Sequence, residues 1–301
     1  MIGKEAELMG QLVSYLWFDN QAEEAVAFYL SLFEGEITNR QMFENIPTGE
    51  ALEISFTLEN MKFAAWNGGD SVKLNSSISV IVTLKSAQEV EDLYAQLMEG
   101  GKELMPLDSY PFNERYAWVE DKFGLSWQLL VDENASSNQK LRPSLLFSGQ
   151  YCGKAEEALV FYQEVFEKAE TGPIHHYQEG EAQDERAKIN YSELHVLEQS
   201  LVLMDNGYGG DFEFNEGYSF LILCSSQAEV DFYFEKLSFV PEAEQSGWVK
   251  DPYGVSWLII PIRLYDLMVS STDEEQARIS EALLKMKKLD IEALEDAKYF
   301  D

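Results

Sequence analysis

The segment DKFGLSWQLLV at residues 121–131 returns as DPYGVSWLIIP at 251–261. Each copy carries Asp, Gly and Ser-Trp at one spacing, followed by an apolar run. The repetition extends upstream. AEEAVAFYLSLF (22–33) recurs as AEEALVFYQEVF (155–166), residues 86–101 resemble 225–238, and 64–70 resemble 203–211. The same blocks in the same order, with small drifts in offset, mark a duplicated unit with loop insertions. This constrains the fold more than any other feature, because each half must be able to form the same structure. A polar stretch containing a proline, 133–144, suits the junction.

Within the first copy, Ala25, Phe28, Tyr29 and Leu32 fall at i, i+3, i+4 and i+7, the spacing of an amphipathic helix. The strand-like LVSYLWF precedes it, and EITNRQMF, LEISFTLE and MKFAAW follow. The order then repeats: SISVIVTLK as a strand, AQEVEDLYAQLMEGG as a helix closed by a Gly pair, and three more strands ending in LSWQLLV. The expected fold class is therefore α+β, with two βαβββ modules in each half. Expected boundaries are a first domain at 10–133, a linker at 134–141, a second domain at 142–264 and a helical tail at 270–299. In the tail, Thr272 and Glu275 have capping-box spacing, which starts a helix at Asp273. Asp290 caps a shorter helix, and Ile279, Leu283 and Met286 form a face expected to pack on the sheets. Trp127 and Trp257, just after the turns at Gly124 and Gly254, are expected core anchors.

The balance of 22 Lys+Arg against 54 Asp+Glu gives a formal charge of −32. That field repels phosphate backbones and anionic lipid, so neither nucleic acid nor membrane is an expected partner. The two cysteines, Cys152 and Cys224, lack CxxC spacing, which fits a reducing compartment. The first residues carry glutamates where a signal peptide needs an apolar stretch, and no run of 18 apolar residues occurs. The expected location is cytoplasmic.

The paired modules, the AEEA..FY helix and the D..G..W turn resemble the vicinal-oxygen-chelate superfamily, which includes glyoxalase, bleomycin-resistance and dioxygenase proteins. Within it the chain is similar to the PhnB-like branch, some of whose members are labelled 3-demethylubiquinone-9 3-methyltransferase. The resemblance implies cupped mixed sheets that hold a divalent metal through His and Glu, which polarises vicinal oxygens of a substrate. It also implies that two copies in one chain form an internal pseudo-dimer. Carried over by position, the first-strand ligand falls at Ser14 and Leu145 and the fifth-strand ligand at Ser77 and Tyr218. The last-strand ligand falls at Gln128 and Leu258, and a third-strand His at Ser55 and Tyr191. None of these is His or Glu, so no metal and no other cofactor is expected. Neighbours His175 and His176 alternate in direction along a strand. Together with His195 they are expected at the surface or in structural roles.

What remains is aromatic and polar. Candidate ligand-binding residues are Tyr15, Trp17, Arg40, Ser55, Trp66 and Gln128 from the first half and Tyr191 from the second, with Asp205 and Trp257 as a poorer second-half set. Arg40 suits a carboxylate or phosphonate, or else an acidic surface neighbour. No catalytic residue is identified; Glu53 and Glu193 are the carboxylates open to metal-free acid–base work. NGYGGD (206–211) is expected to be a tight turn, since it lacks the strand-to-helix context of a cofactor-binding glycine motif. The expectation is a small-molecule binding protein with its pocket in the cup of the first domain. The alternative is a lyase, isomerase or dioxygenase-like enzyme acting on a small oxygenated or phosphonate-like substrate through an atypical site.

Overall fold

Apolar periodicity converts directly into elements along this chain. A computed structural model describes residues 10–46, 49–133, 140–210 and 212–299. The first module runs β1 (Gln11–Phe18), α1 (Ala22–Leu32), β2 (Gly35–Ile46), β3 (Gly49–Leu58) and β4 (Met61–Asn67). The second runs β5 (Ile78–Leu84), α2 (Ala87–Leu97), β6 (Lys102–Tyr110), β7 (Asn113–Glu120) and β8 (Ser126–Val131). The third runs β9 (Leu141–Phe147), α3 (Ala155–Val165), β10 (Glu170–His176), β11 (Ile189–Val196) and β12 (Gln199–Asp205). The fourth is shorter: β13 (Tyr218–Cys224), α4 (Gln227–Leu237), β14 (Trp248–Lys250) and β15 (Ser256–Pro261). The tail forms α5 (Ile262–Val269), α6 (Asp273–Lys285) and α7 (Ile291–Ala297). Of the linker expected at 134–141, residues 134–139 lie outside the described residues.

In the fourth module a 3-10 turn at Pro241–Ala243 stands where the other modules have a strand. The proline removes a donor from the edge, and the tail supplies the missing pairing. Ser246 N–H donates to Met286 O and Gly247 N–H to Lys287 O, each at 2.8 Å. The capping box of Thr272 and Glu275 opens α6 at Asp273, and the Asp290 side chain accepts from Ala293 N at the start of α7.

Partner choice between modules departs from chain order. One sheet, hereafter sheet A, has the order β14-β15-β13-β1-β4-β3-β2, and the other, sheet B, has β10-β11-β12-β9-β5-β8-β7-β6. Thus the first module shares a sheet with the fourth, and the second with the third. The seams are antiparallel pairs, β1 with β13 and β5 with β9. Each cup is built from both halves.

The repeated turn explains itself in atoms. Asp251 Oδ1 accepts from the backbone N–H of Tyr253 (2.9 Å) and Val255 (3.0 Å), while Oδ2 accepts from Trp257 Nε1 (2.9 Å) and Tyr162 Oη (2.6 Å). Asp121 repeats the backbone pattern with Phe123 and Leu125, and holds Trp127 Nε1 at 2.8 Å. Gly124 and Gly254 have φ of +91° and +86°, a region that a Cβ strains. Both tryptophans are fully buried against a helix of a module in the other sheet. Trp127 on β8 stacks on Phe33, just after α1, and Trp257 on β15 packs on Tyr162 of α3. These crossings merge the helices and both sheets into one apolar core. Among the described residues no helix is long and apolar enough to cross a membrane.

Burial raises the Asp251 carboxyl to about 6 against the pull of its four donors. An acid raised in the native state holds its proton where the unfolded chain, at about 3.9, has released it, so its contribution to stability falls as pH rises through this window. The unfolding free energy, read from the denaturant midpoint, is therefore expected to rise by roughly 1 kcal/mol from this group between pH 7.5 and 5. Repulsion within the −32 charge acts in the same direction but is screened. The Asp251 share should persist in high salt, and an unchanged or lower midpoint at pH 5 there contradicts it.

Candidate functional site

Strand alternation and register sort the inward side chains into two sets. On sheet A, Tyr15 pairs with Ala64 and Ser219, Trp17 with Trp66, and Glu53 with Trp66 and Gln41. Tyr15, Trp17, Ser55 and Trp66 thus share one face, cup A, with Glu53 near its centre. Arg40 pairs with Ile54 on the opposite face, where Nη1 binds Glu23 of α1 at 2.6 Å, both side chains being exposed. It stands outside the cup, in the surface role that the sequence also allows.

The chain's own tail reaches the central carboxylate of cup A, while Trp17, Ser55 and Trp66 stay half-buried. Tyr15 Oη donates to Glu53 Oε2 (3.1 Å), and Tyr265 Oη, from α5, donates to Glu53 Oε1 (2.9 Å). Glu53 is 4% exposed, and burial raises its carboxyl despite these two donors. Trp248 meets the Tyr15 ring edge to face at 5.9 Å, and α6 packs along β2. Trp17 Nε1 is spent on Gly69 O (2.8 Å), and Trp66 packs on Phe43. Ile279 is fully buried, with Leu283 and Met286 beside it.

Cup B has a different floor. Ser79 pairs with Ser126 on one side and Ser144 on the other, and Ile81 with Gln128 and Arg142. These side chains share a face with Trp118 and Tyr116 of β7, Val202 of β12, and Tyr191 and Glu193 of β11. Gln128 Nε2 donates to Ser79 Oγ (2.6 Å) and Gln128 Oε1 accepts from Tyr116 Oη (2.9 Å). Arg142 Nη1 is ion-paired with Glu193 and donates to Tyr191 Oη (2.8 Å), while Nη2 donates to Thr83 Oγ1 (2.8 Å). Tyr191 Oη also donates to Glu193. Trp118, Tyr191 and Met204 are half-buried, so this face meets solvent at its rim. The candidate residues Gln128 and Tyr191 therefore belong to cup B, apart from Tyr15, Trp17, Ser55 and Trp66.

Other positions resolve individually. Ser14 and Leu145 face the helices and core rather than a cup; Ser14 Oγ accepts from Tyr218 Oη at 2.8 Å. A one-residue change of register makes Tyr15 and Ser144 the cup-facing neighbours. Asp205 accepts four backbone N–H bonds, from Gly153, Ala155, Lys188 and Ile189, which makes it a brace at the start of α3. His175 and His176 are exposed, and His195 Nδ1 lies 2.6 Å from Ser200 Oγ. Among the described residues between β12 and β13, 206–210 and 212–217, none is helical. Arg142 fits no His or Glu pattern in the sequence; its one local signal is a lone cation inside the apolar strand LRPSLLF. A cleft of about 460 Å³ lined by Trp17, Asp70, Lys73 and Lys102 adjoins cup A at Trp17 and lies apart from the floor of cup B, and Lys102 is bridged there to Glu120.

A divalent ion of the kind the resemblance implies does not suit cup B. Serine hydroxyls, a glutamine amide and a guanidinium cation line the positions that would face it, and only Glu193 adds a carboxylate. Among the described residues no group of three or more His, Cys, Asp or Glu is placed to hold a metal.

Comparison with known proteins gives this geometry a context. Residues 10–130 and 139–260 each match the family model described as 3-demethylubiquinone-9 3-methyltransferase. No curated protein matches the chain. Among solved structures, the chain is similar to a putative 3-demethylubiquinone-9 3-methyltransferase, a PhnB protein, from Bacillus cereus: 33% identity over 40% of this chain and 98% of that one, TM-score 0.37. A protein from Staphylococcus aureus is 36% identical over 40% of this chain and 95% of its own, TM-score 0.18. Glyoxalase I from Zea mays is similar in fold across both halves, covering 84% of this chain and 92% of that one at 12% identity, TM-score 0.55.

Proposed function

The chain belongs to the family described as 3-demethylubiquinone-9 3-methyltransferase, a PhnB-like branch of the vicinal-oxygen-chelate superfamily, and from that premise we propose that cup B binds a small organic molecule through protein side chains alone. The observation that carries this reading is the asymmetry of the cups. Tyr265 of the tail takes up Glu53, the central carboxylate of cup A, whereas cup B keeps a polar floor of serines, Gln128 and Arg142 between apolar Ile81 and Val202 under an aromatic rim. Apolar walls with a few placed polar groups are what small-molecule sites use. The place favoured from sequence, the cup of the first domain, becomes a cup shared between halves. Pairing of modules across the junction also supports an internal pseudo-dimer, with one cup free to become structural.

Methyl transfer, named in the family's description, finds no specific support in the residues of cup B. The enzymatic alternative would rest on Glu193 and Tyr191, but both are engaged with Arg142. The test is a thermal-shift screen of small oxygenated compounds on the full chain and on Met204→Trp, which fills the half-buried rim of cup B without altering its floor. Stabilising compounds are expected to lose their effect in Met204→Trp. Retention there, with loss in Glu53→Gln, would move the site to cup A.

A further inference from the structure

Two polar atoms on the floor of cup B have no partner among the described residues: Arg142 Nε and Ser144 Oγ. Ser144 is fully buried and Arg142 nearly so. Both lie on β9, two residues apart, and so project from the same face of the sheet. The groups around them are committed to one another. Arg142 spends Nη1 on Glu193 and Tyr191 and Nη2 on Thr83, and Gln128 is held between Ser79 and Tyr116. A buried donor without an acceptor is costly, and native proteins normally match it with water or ligand. Here two such atoms lie two residues apart on one strand of cup B.

Charge narrows what could match them. Glu193 already balances the guanidinium. An incoming anion would therefore leave an uncompensated negative charge in a desolvated cup, within a chain that carries −32. A neutral carbonyl oxygen accepts the same hydrogen bond and adds no charge. We infer that cup B, as the binding site proposed above, takes an uncharged organic molecule that presents a carbonyl-type oxygen to Arg142 Nε–H. The Ser144 hydroxyl bonds to it alongside, and the apolar body lies against Ile81, Val202 and Trp118. Both polar atoms are shielded from solvent, so the ligand reaches them by displacing rim side chains. Tyr191, half-buried and already bonded to Arg142, is the first of these.

The test compares three probes of one shape on the full chain: acetophenone, benzoate and ethylbenzene, titrated while backbone amide shifts are followed. Acetophenone is expected to bind about tenfold more tightly than either of the others, the worth of one good hydrogen bond. Ser144→Ala supplies a second readout. Removing the unmatched hydroxyl should raise the melting temperature of the free protein and weaken acetophenone binding severalfold. Tighter binding of benzoate would overturn the uncharged class while leaving cup B as the site, and equal binding of ethylbenzene would overturn oxygen recognition. If none of the probes shifts cup B amides, the inference and the binding reading beneath it both fail. A Ser144→Ala protein that melts lower and binds acetophenone unchanged would make the hydroxyl structural and remove it from the site.

Discussion

Deletion of residues 262–301 is expected to yield a chain that does not reach the native state. The tail buries Leu264, Leu267, Met268, Ile279, Leu289 and Leu294 almost completely. Each such side chain contributes roughly 1.5–3 kcal/mol by leaving water. Even the lower values together approach the whole stability of an ordinary domain, about 5–15 kcal/mol. The deletion also strips Glu53 of Tyr265 and leaves the amides of Ser246 and Gly247 without their acceptors. Far-UV circular dichroism and binding of an apolar dye report the outcome: a collapsed or aggregated species with strong dye binding. By contrast Tyr265→Phe removes one hydrogen bond and should cost about 1 kcal/mol. A truncated chain with native ellipticity and an unchanged denaturant midpoint would show that the tail is an appendage.

The second large effect is expected from Asp251→Ala. Four donors lose their acceptor at once: two backbone amides, the Trp257 indole and the Tyr162 hydroxyl, all inside the core. At about 1–3 kcal/mol for each group left unmatched, the loss should reach at least about 4 kcal/mol. Relief of the buried carboxylate's own desolvation offsets part of this at neutral pH, since its proton is bound only below about 6. Asp251→Asn keeps the amide acceptor for the two backbone groups and should fall between the extremes. Urea midpoints at a constant slope would measure the series. Equal midpoints for wild type and Asp251→Ala would mean that the repeated turn is held by something other than its aspartate.

The repeat, the helices and most strands were legible because each rests on local periodicity: Ala25, Phe28, Tyr29 and Leu32 imply a helix wherever the neighbouring modules go. Partner choice was not. β1 presents the same alternation to β13 as it would to any other edge, and nothing local announces that β4 and β5, consecutive in the chain, belong to different sheets. Register on the first strands turned on a single residue, which separates Ser14 from Tyr15. The hydrogen bond from Tyr265 to Glu53 in cup A joins residues 212 positions apart, a contact with no local signature. Arg142 was visible as a charge in an apolar strand, but its meaning came from Glu193 and Tyr191 on a strand two places away in the sheet.

Mapping where a ligand lands is the most direct measurement. With acetophenone titrated into the wild-type chain, amide shifts are predicted to concentrate in β5, β8, β9 and β11 and to disappear in Met204→Trp. Shifts centred on β1, β3 and α5 would contradict the account, since they would place the working site beneath the tail.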